Sequence, residues 1–420
     1  MKRTIASACM ALIACTAVAQ MPQDPTYGLT PNARSFQRYG DIPVSLYTGT
    51  PSISIPIDTI NDGSLSLPIS LSYHSGGIKA DEHPGWVGLG WSLMLGGVIT
   101  REVRDVPDES DKSEETGYFR NHNILNNSVY IDGNNPDAVA DMIDNNVSAL
   151  IHYDSEPDKF NFHFDGYSGF FMLDPKGNWQ VHSNRPLKVK SATFGKHPVI
   201  NGVRAEVDSR IFHTFILVGY DGTEYEFGNG SIDFYINFRH QSTLGWTASA
   251  WHMTKITATD GSVISFDYKR GDYVASISYC DEIIGISNAY GSSTTTVSPY
   301  HGSLMSPVYL VSVGGNTFSL KLHDSVSNEL NYRKEYYEKL LYNLYDPPKF
   351  LNFDYNNDTD IQISKIKWYK LDSISFIDEK SHLYKLVRFG YINNASMRLA
   401  MERINIYYCP LNHKSESPTS

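Results

Sequence analysis

Apolar side chains at every second position mark the first strongly patterned stretch of the chain, Leu46–Glu102. Its first run places Ile53, Ile55 and Ile57 on one face. Its second run does the same with Leu65, Leu67, Ile69, Leu71 and Tyr73. A period of two is typical of a strand with one buried face. The stretch therefore predicts two strands that pair as a hairpin around a tight turn at Asn61–Gly63.

The predicted turn decides which residues of this hairpin face each other. With Asn61–Gly63 as the loop, Ile57 lies opposite Leu67 and Pro56 lies opposite Pro68. Neither proline has an N–H group to donate, so both nitrogens must point away from the partner strand. We therefore predict a non-hydrogen-bonded Pro56–Pro68 pair, which a structure with a shifted register would contradict.

The same alternation returns from Lys159 onward, with short turns between the runs. Phe160, Phe162 and Phe164 alternate before a turn at Asp165-Gly166. Later turns stand at Pro175–Asn178, Asp221-Gly222 and Asp260-Gly261. Since these hairpins follow one another without helices between them, the sequence predicts an antiparallel all-β fold. Its hairpins and meanders would form an elongated sandwich or an open β-shell, with one or two short helices.

Four stretches depart from the alternating pattern. Asn331–Lys349 has apolar residues at helical spacing and predicts a helix near 331–346, and the region after Pro136 predicts a second short helix. The Ser-, Gly- and Tyr-rich residues between Tyr279 and Pro307 predict a long surface loop. The run Pro107–Thr116 is acidic and lacks apolar side chains, so we expect a solvated loop there.

The first nineteen residues have the features of a secretory signal peptide, with a basic start, an apolar run and small residues up to a cleavage site before Gln20. The apolar run is too short for a comfortable membrane span, and no other stretch reaches spanning length. Leu12–Cys15 also resembles a lipobox, which would place a lipid anchor on Cys15. Both interpretations predict a protein that leaves the cytoplasm for the periplasm, the outer surface or the medium.

A tryptophan-glycine block, WVGLGWSLMLGGVITR at Trp86–Arg101, follows SLPISLSYHSGGIK at Ser66–Lys79. Together they resemble the N-terminal, pre-repeat region of Rhs/YD-repeat proteins of diderm bacteria, which are distantly related to toxin-complex shell proteins. The resemblance continues at Pro157–Phe171, Tyr220–Asn229 and Ser249–Tyr273. It implies a secreted or cell-surface, non-enzymatic β-scaffold that in longer relatives precedes a repeat-built shell carrying a toxic or adhesive cargo.

Eight residues form a structural signature and not an active site, an interpretation that draws on the hairpin pairing and on the resemblance. They are Pro56, Pro68, Trp86, Gly88, Gly90, Trp91, Gly96 and Gly97. Glycines interspersed with tryptophans are typical of tight turns whose backbone packs closely against indole rings. The alternative is that Trp86 and Trp91 are exposed and form a platform on which sugar rings stack.

The domain organisation follows from these segments. Residues 1–19 form the signal peptide, 20–45 an extended arm, 46–275 a β-rich module of the Rhs type, 276–310 the loop region, 311–408 a second β-rich segment with one helix, and 409–420 a polar tail. No convincing YD repeat is present. We therefore expect either a short form that works without the repeats or a truncated relic.

The net charge and the absence of known catalytic motifs exclude several classes of function. The formal net charge of −11, without a basic patch, argues against nucleic acid or an anionic membrane as the main partner. No catalytic, cofactor-binding or metal-ligating residue is predicted, because the sequence has no nucleophile elbow, zinc spacing or phosphate loop. We expect a non-enzymatic protein with an unknown protein or glycan partner. A carbohydrate-binding or adhesin module is the alternative, and a glycan-processing enzyme would need two facing carboxylates.

Few of the polar patterns suggest a specific chemistry. The alternating Asp354–Asp360 run lacks the glycine and the bidentate glutamate of a calcium loop, so turn hydrogen bonds explain it better. Cys280 and Cys409 form either one disulfide or two separate buried thiols. Four histidines without ligand spacing are predicted to be hydrogen-bonded structural side chains: His74, His83, His163 and His252.

Overall fold

The structure is a computed structural model that describes residues 52–74, 83–104, 106–110, 115–119, 152–154, 156–196, 210–237, 246–279, 283–288, 291–296, 300–329 and 367–409. The signal peptide, the N-terminal arm, both predicted helices, the Asp354–Asp360 run and Cys280 lie outside these residues. The chain divides into two units, Met1–Ile53 and Ser54–Ser420, and all the described residues except Ser52 and Ile53 belong to the second.

The described residues form 23 β-strands, and their helical conformation is limited to Tyr118–Phe119. The first twelve strands are β1 (Ser52–Asp62), β2 (Leu65–His74), β3 (Trp91–Met94), β4 (Gly97–Glu102), β5 (Glu115–Thr116), β6 (His152–Tyr153), β7 (Lys159–Phe164), β8 (Tyr167–Leu173), β9 (Trp179–Ser183), β10 (Leu187–Lys196), β11 (Arg210–Gly219) and β12 (Glu224–Asn237). The others are β13 (Thr247–Thr257), β14 (Val263–Arg270), β15 (Val274–Tyr279), β16 (Ile283–Asn288), β17 (Gly291–Thr296), β18 (Tyr300–Ser306), β19 (Val308–Gly314), β20 (Phe318–Val326), β21 (Tyr369–Asp378), β22 (Leu383–Ile392) and β23 (Ala400–Tyr408).

Sixteen of the strands form one open antiparallel sheet, which confirms the predicted all-β fold class. Its main path runs β23-β22-β21-β20-β19-β14-β13-β4-β7-β8-β9, and a branch from β13 adds β12, β11, β10, β18 and β15. A separate three-stranded sheet has the order β1-β2-β3. Two small pairs complete the described strands, β16 with β17 and the parallel pair β5 with β6.

The chain passes between the two main sheets at a corner inside the tryptophan-glycine block. β3 ends at Met94 and belongs to the small sheet, whereas β4 begins at Gly97 and pairs with β7 and β13 of the large one. The backbone at Gly97 runs against the side chains of Phe164 and Met253, and a Cβ atom there would overlap both. Only glycine therefore fits this position without a shift of its neighbours.

Aromatic rings fill the space between β7 and β8 on one side and β11 and β13 on the other. Phe160 stacks on Phe171 with 5.2 Å between ring centroids, and Phe171 meets Phe215 edge-to-face at 5.4 Å. Phe215 in turn meets Trp251 edge-to-face at 5.2 Å. All four side chains are fully buried. Edge-to-face and offset contacts of this kind add to the hydrophobic stabilisation from burial.

The hairpins predicted from Asp-Gly turns are confirmed. Asp165 and Gly166 both have positive φ angles, of 43° and 71°, and join β7 to β8 with Phe164 opposite Tyr167. Two consecutive positive φ angles characterise the type I′ turn that suits the twist of paired strands. Longer connections, in which only the glycine has a positive φ angle, join β11 to β12 around Asp221-Gly222 and β13 to β14 around Asp260-Gly261.

The turn of the first hairpin differs from the prediction. β1 continues to Asp62 and β2 begins at Leu65, so the connection is Gly63-Ser64 instead of Asn61–Gly63. The Asp62 carboxylate accepts hydrogen bonds from the backbone N–H of Asn316 and, at 3.1 Å, from the Thr317 hydroxyl, which holds Asp62 inside the sheet packing. A two-residue loop at Gly63-Ser64 would not by itself place Pro56 opposite Pro68. The pairing of these two exposed prolines therefore stays a prediction.

The prediction of a long loop at residues 276–310 is wrong, because this region forms strands. It contains most of β15, all of β16, β17 and β18, and the start of β19. Threonine, tyrosine, valine and isoleucine are common there and favour extended backbone. The sequence concealed these strands because serine, threonine and glycine interrupt the apolar alternation on which the prediction depended.

Trp251 offers a test of the aromatic core. It is fully buried, and its indole N–H donates to the Phe212 carbonyl at 2.7 Å. We expect Trp251→Ala to lower the free energy of unfolding by about 3–5 kcal/mol, because it removes the ring and leaves a buried carbonyl unpaired. Tyr220→Ala is the control, since 70% of that side chain is exposed, and it should change stability by less than about 0.5 kcal/mol. Equal denaturation midpoints for the two variants would contradict this account of the core.

Candidate functional site

A groove of about 760 Å³ lies between the three-stranded sheet and the large sheet. This volume is within the range of about 300–1,000 Å³ that is typical of ligand sites. Strands β1, β2 and β3 supply one wall, and β4, β7, β13, β14 and β19 supply the opposite side. The glycine corner between β3 and β4 closes one side, because Gly96 and Gly97 both line the groove.

Serine hydroxyls cover the wall that the small sheet contributes. They belong to Ser54, Ser66, Ser70, Ser72 and Ser92. On β2, Ser70 and Ser72 alternate with Ile69 and Leu71, which are buried on the opposite face, and the buried Leu67 beside Ser66 also lines the groove. The alternation that predicts a half-buried strand thus also produces the wall, and Pro68 stands in the same row as the serines.

The opposite side of the groove combines aliphatic side chains with a histidine-aspartate pair. His252 lines the groove, and its Nε2 lies 2.9 Å from a carboxylate oxygen of Asp233. The other oxygen of Asp233 accepts the backbone N–H of Val308 at 2.7 Å. Tyr268 also lines the groove, and its hydroxyl donates to the Met253 carbonyl at 2.9 Å. These polar groups are therefore engaged in holding β12, β13, β14 and β19 together.

The structure places the eight signature residues in two groups. Pro68, Trp86, Gly96 and Gly97 line the groove, whereas Pro56, Gly88, Gly90 and Trp91 do not. Trp91 is half-buried opposite Tyr73 of β2, with 5.0 Å between the ring centroids. Gly88 has φ +95°, and a Cβ atom there would lie 2.9 Å from the Met401 backbone nitrogen. Both the positive φ and the close approach require glycine at that position.

All six tryptophans of the chain are among the described residues, and none is exposed. Trp86 is half-buried and packs against Tyr309 with 5.7 Å between ring centroids. A sugar-stacking platform needs an open aromatic face. The alternative interpretation of Trp86 and Trp91 as an exposed platform is therefore wrong.

A second polar centre, buried below β4, was missed by the sequence prediction. The guanidinium of Arg101 is fully buried and binds the Glu109 carboxylate through two nitrogens, one at 2.8 Å. It also binds Asp158, with 2.8 Å between Nε and Oδ2. The rings of Phe160 and Trp251 lie within 5.4 and 5.9 Å of the guanidinium carbon. Such stacking adds cation–π attraction to the two ion pairs.

Part of the predicted solvated loop is buried at this centre, which corrects the interpretation of Pro107–Thr116. Asp108, Glu109 and Ser110 are 0%, 3% and 6% exposed. Asp108 and Asp158 each accept the other's backbone N–H, at 3.0 and 2.9 Å. An acidic run is solvated unless a cation meets it, and here Arg101 supplies the cation from β4. The signal that could have revealed this is the isolated arginine in the apolar alternation of β4.

The remaining predicted features have mixed outcomes. His83 stacks on Trp368 at 4.3 Å and His252 pairs with Asp233, which fits the predicted structural roles, whereas His163 is exposed. Cys409 is half-exposed with a free thiol, so it is not a buried one. Within the described ranges no cluster of three or more potential ligands is arranged to hold a metal ion. None of the helices among those same residues is long and apolar enough to cross a membrane.

Comparisons with known proteins give similarities at low levels. No protein-family model matches the chain, and no curated protein sequence matches it. Among solved structures, TcdB2-TccC3-Cdc42 aligns with 85% of this chain at 11% identity and a TM-score of 0.37. The N-terminal domain of the effector protein SpvB from Salmonella typhimurium strain LT2 aligns with 86% at 12% identity and a TM-score of 0.35. The pore form of the Tc holotoxin of Photorhabdus luminescens aligns with 92% at 10% identity and a TM-score of 0.33.

The lengths covered differ among these structures. The alignment spans 15% of the TcdB2-TccC3 chain and 16% of the Tc holotoxin chain, but 99% of the SpvB domain. With TM-scores below 0.5, the similarities support no conclusion about what this chain does. The class that the strand pairing itself defines is an antiparallel all-β protein with an open sixteen-stranded sheet and a smaller sheet joined to it through a glycine corner.

The buried centre generates a prediction on pH. Burial raises the pKa of Asp108, and the nearby Asp158 carboxylate raises it further. Above the unfolded value of about 4, the folded protein therefore keeps a proton that the unfolded chain loses. Stability contributed by Asp108 is present at low pH and is lost as pH rises through the folded pKa.

Asp108→Asn keeps an oxygen for the Asp158 N–H and cannot ionise. We expect it to raise the free energy of unfolding by about 1 kcal/mol or more at pH 8, with the gain shrinking towards pH 4, as measured by urea denaturation across that range. Asp158→Asn is the matched control and should be destabilising at pH 7, since it removes a partner of the buried Arg101. A loss of stability for Asp108→Asn at pH 8 would refute the assignment.

Proposed function

We propose that this chain is a secreted or cell-surface, non-enzymatic β-scaffold module of the Rhs/YD-repeat type. The sequence resemblance extends over most of the chain after residue 19 and gives the proposal its family. The observation that carries it is the position of the tryptophan-glycine block. Trp86–Arg101, the most specific part of the resemblance, spans β3, the glycine corner and β4, and so forms the junction between the two sheets. A motif at such a junction acts as architecture.

The buried charges agree with a scaffold role. Arg101 binds Glu109 and Asp158, and Asp108 and Asp158 accept each other's backbone N–H, so these buried charges hold segments of the protein together. A glycan-processing enzyme would need two carboxylates that face each other across a cleft. In the groove, Asp165 is the one carboxylate among the lining residues that the structure describes, and it accepts the Tyr225 hydroxyl at 2.6 Å. A row of exposed tryptophan and tyrosine side chains on one sheet face would favour the carbohydrate-binding alternative, and among the described residues no tryptophan is exposed.

Export is tested in the native cells by fractionation followed by intact-mass and N-terminal analysis of the protein. We expect a mature chain that begins at Gln20 in the periplasm, on the surface or in the medium, because small residues precede that position. A lipid-modified Cys15 at the N-terminus would instead identify a membrane-anchored surface component. An unprocessed chain beginning at Met1 and confined to the cytoplasm would overturn the proposal.

A further inference from the structure

We propose that the free edge of the large sheet at β23 is a self-association surface, where β23 of one copy pairs antiparallel with β23 of a second copy. This goes beyond the scaffold role and does not rest on it, because the pairing depends only on the edge of the sheet. Four features of β23 carry the inference: its exposed apolar side chains, the direction of its backbone groups, its lack of charge and its match to itself.

Exposed large apolar side chains are concentrated on the hairpin of β22 and β23. The described part of the chain has ten such side chains, and six of them lie between residues 383 and 408. These six are Leu383, Ile392, Met397, Ile406, Tyr407 and Tyr408. Single exposed apolar residues are normal on a protein surface, whereas several in one hairpin indicate an interaction site.

The face of β23 that continues the core is apolar and uncovered. Ile404 lies opposite Phe389 of β22, which is buried. Ile406 lies opposite Val387, which is also buried. Opposite residues of paired strands share a face, so the two isoleucines and Tyr408 extend the buried face of β22. Their exposure rises along the strand, from half-buried at Ile404 to 42% at Ile406 and 73% at Tyr408.

The backbone groups of these same three residues point towards the free edge. Within the described sheet β23 pairs only with β22. The Cys409 N–H donates to the Tyr384 carbonyl at 2.9 Å, which continues the register of the two strands. N–H and C=O groups alternate in direction along an antiparallel strand. Since those of Cys409 point to β22, those of Ile404, Ile406 and Tyr408 point away from it, and only another strand can pair with all of them.

This edge lacks the features that keep sheet edges apart. Lysines, prolines and bulges commonly prevent edge-to-edge pairing. Strand β10 is also paired on one side only in the described sheet, and it has Lys188, Lys190 and Lys196 as well as two register shifts. Residues 404–408 of β23 contain no charged residue, no proline and no register shift. The edge at β10 is therefore protected, and the edge at β23 is suited to pairing.

The segment 404–408 matches itself in one register. When Ile406 faces Ile406 of the second copy, Ile404 faces Tyr408 in both directions, so apolar side chains meet on the core face. The three outward-pointing residues of the two copies supply six N–H and six C=O groups, and this register pairs all of them. A shift by two residues would bring the exposed Glu402, which has no partner on β22, opposite Tyr408.

Symmetry favours a second copy as the occupant. A twofold axis perpendicular to the sheet through the Ile406 pair makes the contact the same for both copies. It also places the apolar face of both copies on the same side, so the core face continues across the contact. No other sequence is needed to pair the edge, and the association closes at a dimer.

Sedimentation velocity of the purified protein between about 1 and 300 μM tests the proposal. We expect a reversible monomer–dimer equilibrium with a Kd of about 10–100 μM, because one pair of short strands makes a small interface. Ile406→Lys and Ile406→Glu each place like charges opposite each other and should weaken the dimer at least about ten-fold. An equal mixture of these two variants should associate at least about ten-fold more tightly than either variant alone, because the introduced lysine then faces the introduced glutamate.

Two further variants separate loss of pairing from loss of folding. Ile406→Pro removes an N–H that points away from β22, so it should abolish the dimer with little change in the thermal denaturation midpoint. Val326→Lys is the matched control, because Val326 is 45% exposed on β20, which pairs with β19 and β21 inside the sheet. It should leave the dimer Kd unchanged, and thermal denaturation of every variant checks that it is folded.

Three results would overturn the proposal. The first is a protein that stays monomeric over the whole concentration range. The second is a dimer that Ile406→Lys and Ile406→Pro weaken no more than Val326→Lys does, which would place the contact elsewhere. The third is a mixture of Ile406→Lys and Ile406→Glu that associates no better than the separate variants, since position 406 would then not face itself.

Discussion

The rest of the fold depends on the ion pairs that a buried arginine makes with two carboxylates. Arg101 lies on β4 opposite Phe160 of β7, and β4 is the strand that connects β7 to β13 in the large sheet. Removing one partner from a buried ion pair costs about 3–5 kcal/mol, because the remaining charge is left without compensation. A slip of β4 by even one residue would turn Arg101 to the other face of the sheet. The ion pairs with Glu109 and Asp158 therefore fix the register of β4, and with it the corner that joins the two sheets.

The features that the sequence predicted are those that neighbouring residues determine. The Asp165-Gly166 turn needs two positive φ angles, which aspartate and glycine adopt at low cost, and the apolar alternation on both sides decides which face is buried. Nothing distant is needed for such a hairpin, and the structure has it with Phe164 opposite Tyr167. The all-β fold class follows because the same local signals recur along the chain.

The features that escaped prediction depend on partners far away in sequence. Asp158 is 57 residues from Arg101, and no local pattern indicates that they meet. The turn of the first hairpin moved to Gly63-Ser64 because Asp62 is held by Asn316, 254 residues later. An acidic run or an Asn-Asp-Gly sequence is ambiguous by itself, and a tertiary contact of a few kcal/mol is enough to decide between its alternatives.

The groove was beyond prediction for a related reason. The alternating serines of β2 indicate a polar face, but the sequence does not reveal whether water or protein stands opposite it. In the structure the aliphatic residues of the large sheet stand there, and the two surfaces do not close on each other. Closing would bury several serine hydroxyls against apolar side chains of the large sheet such as Leu310 without partners, at a cost of about 1–3 kcal/mol for each group. The polar face of β2 is thus one physical reason why the space between the two sheets stays open.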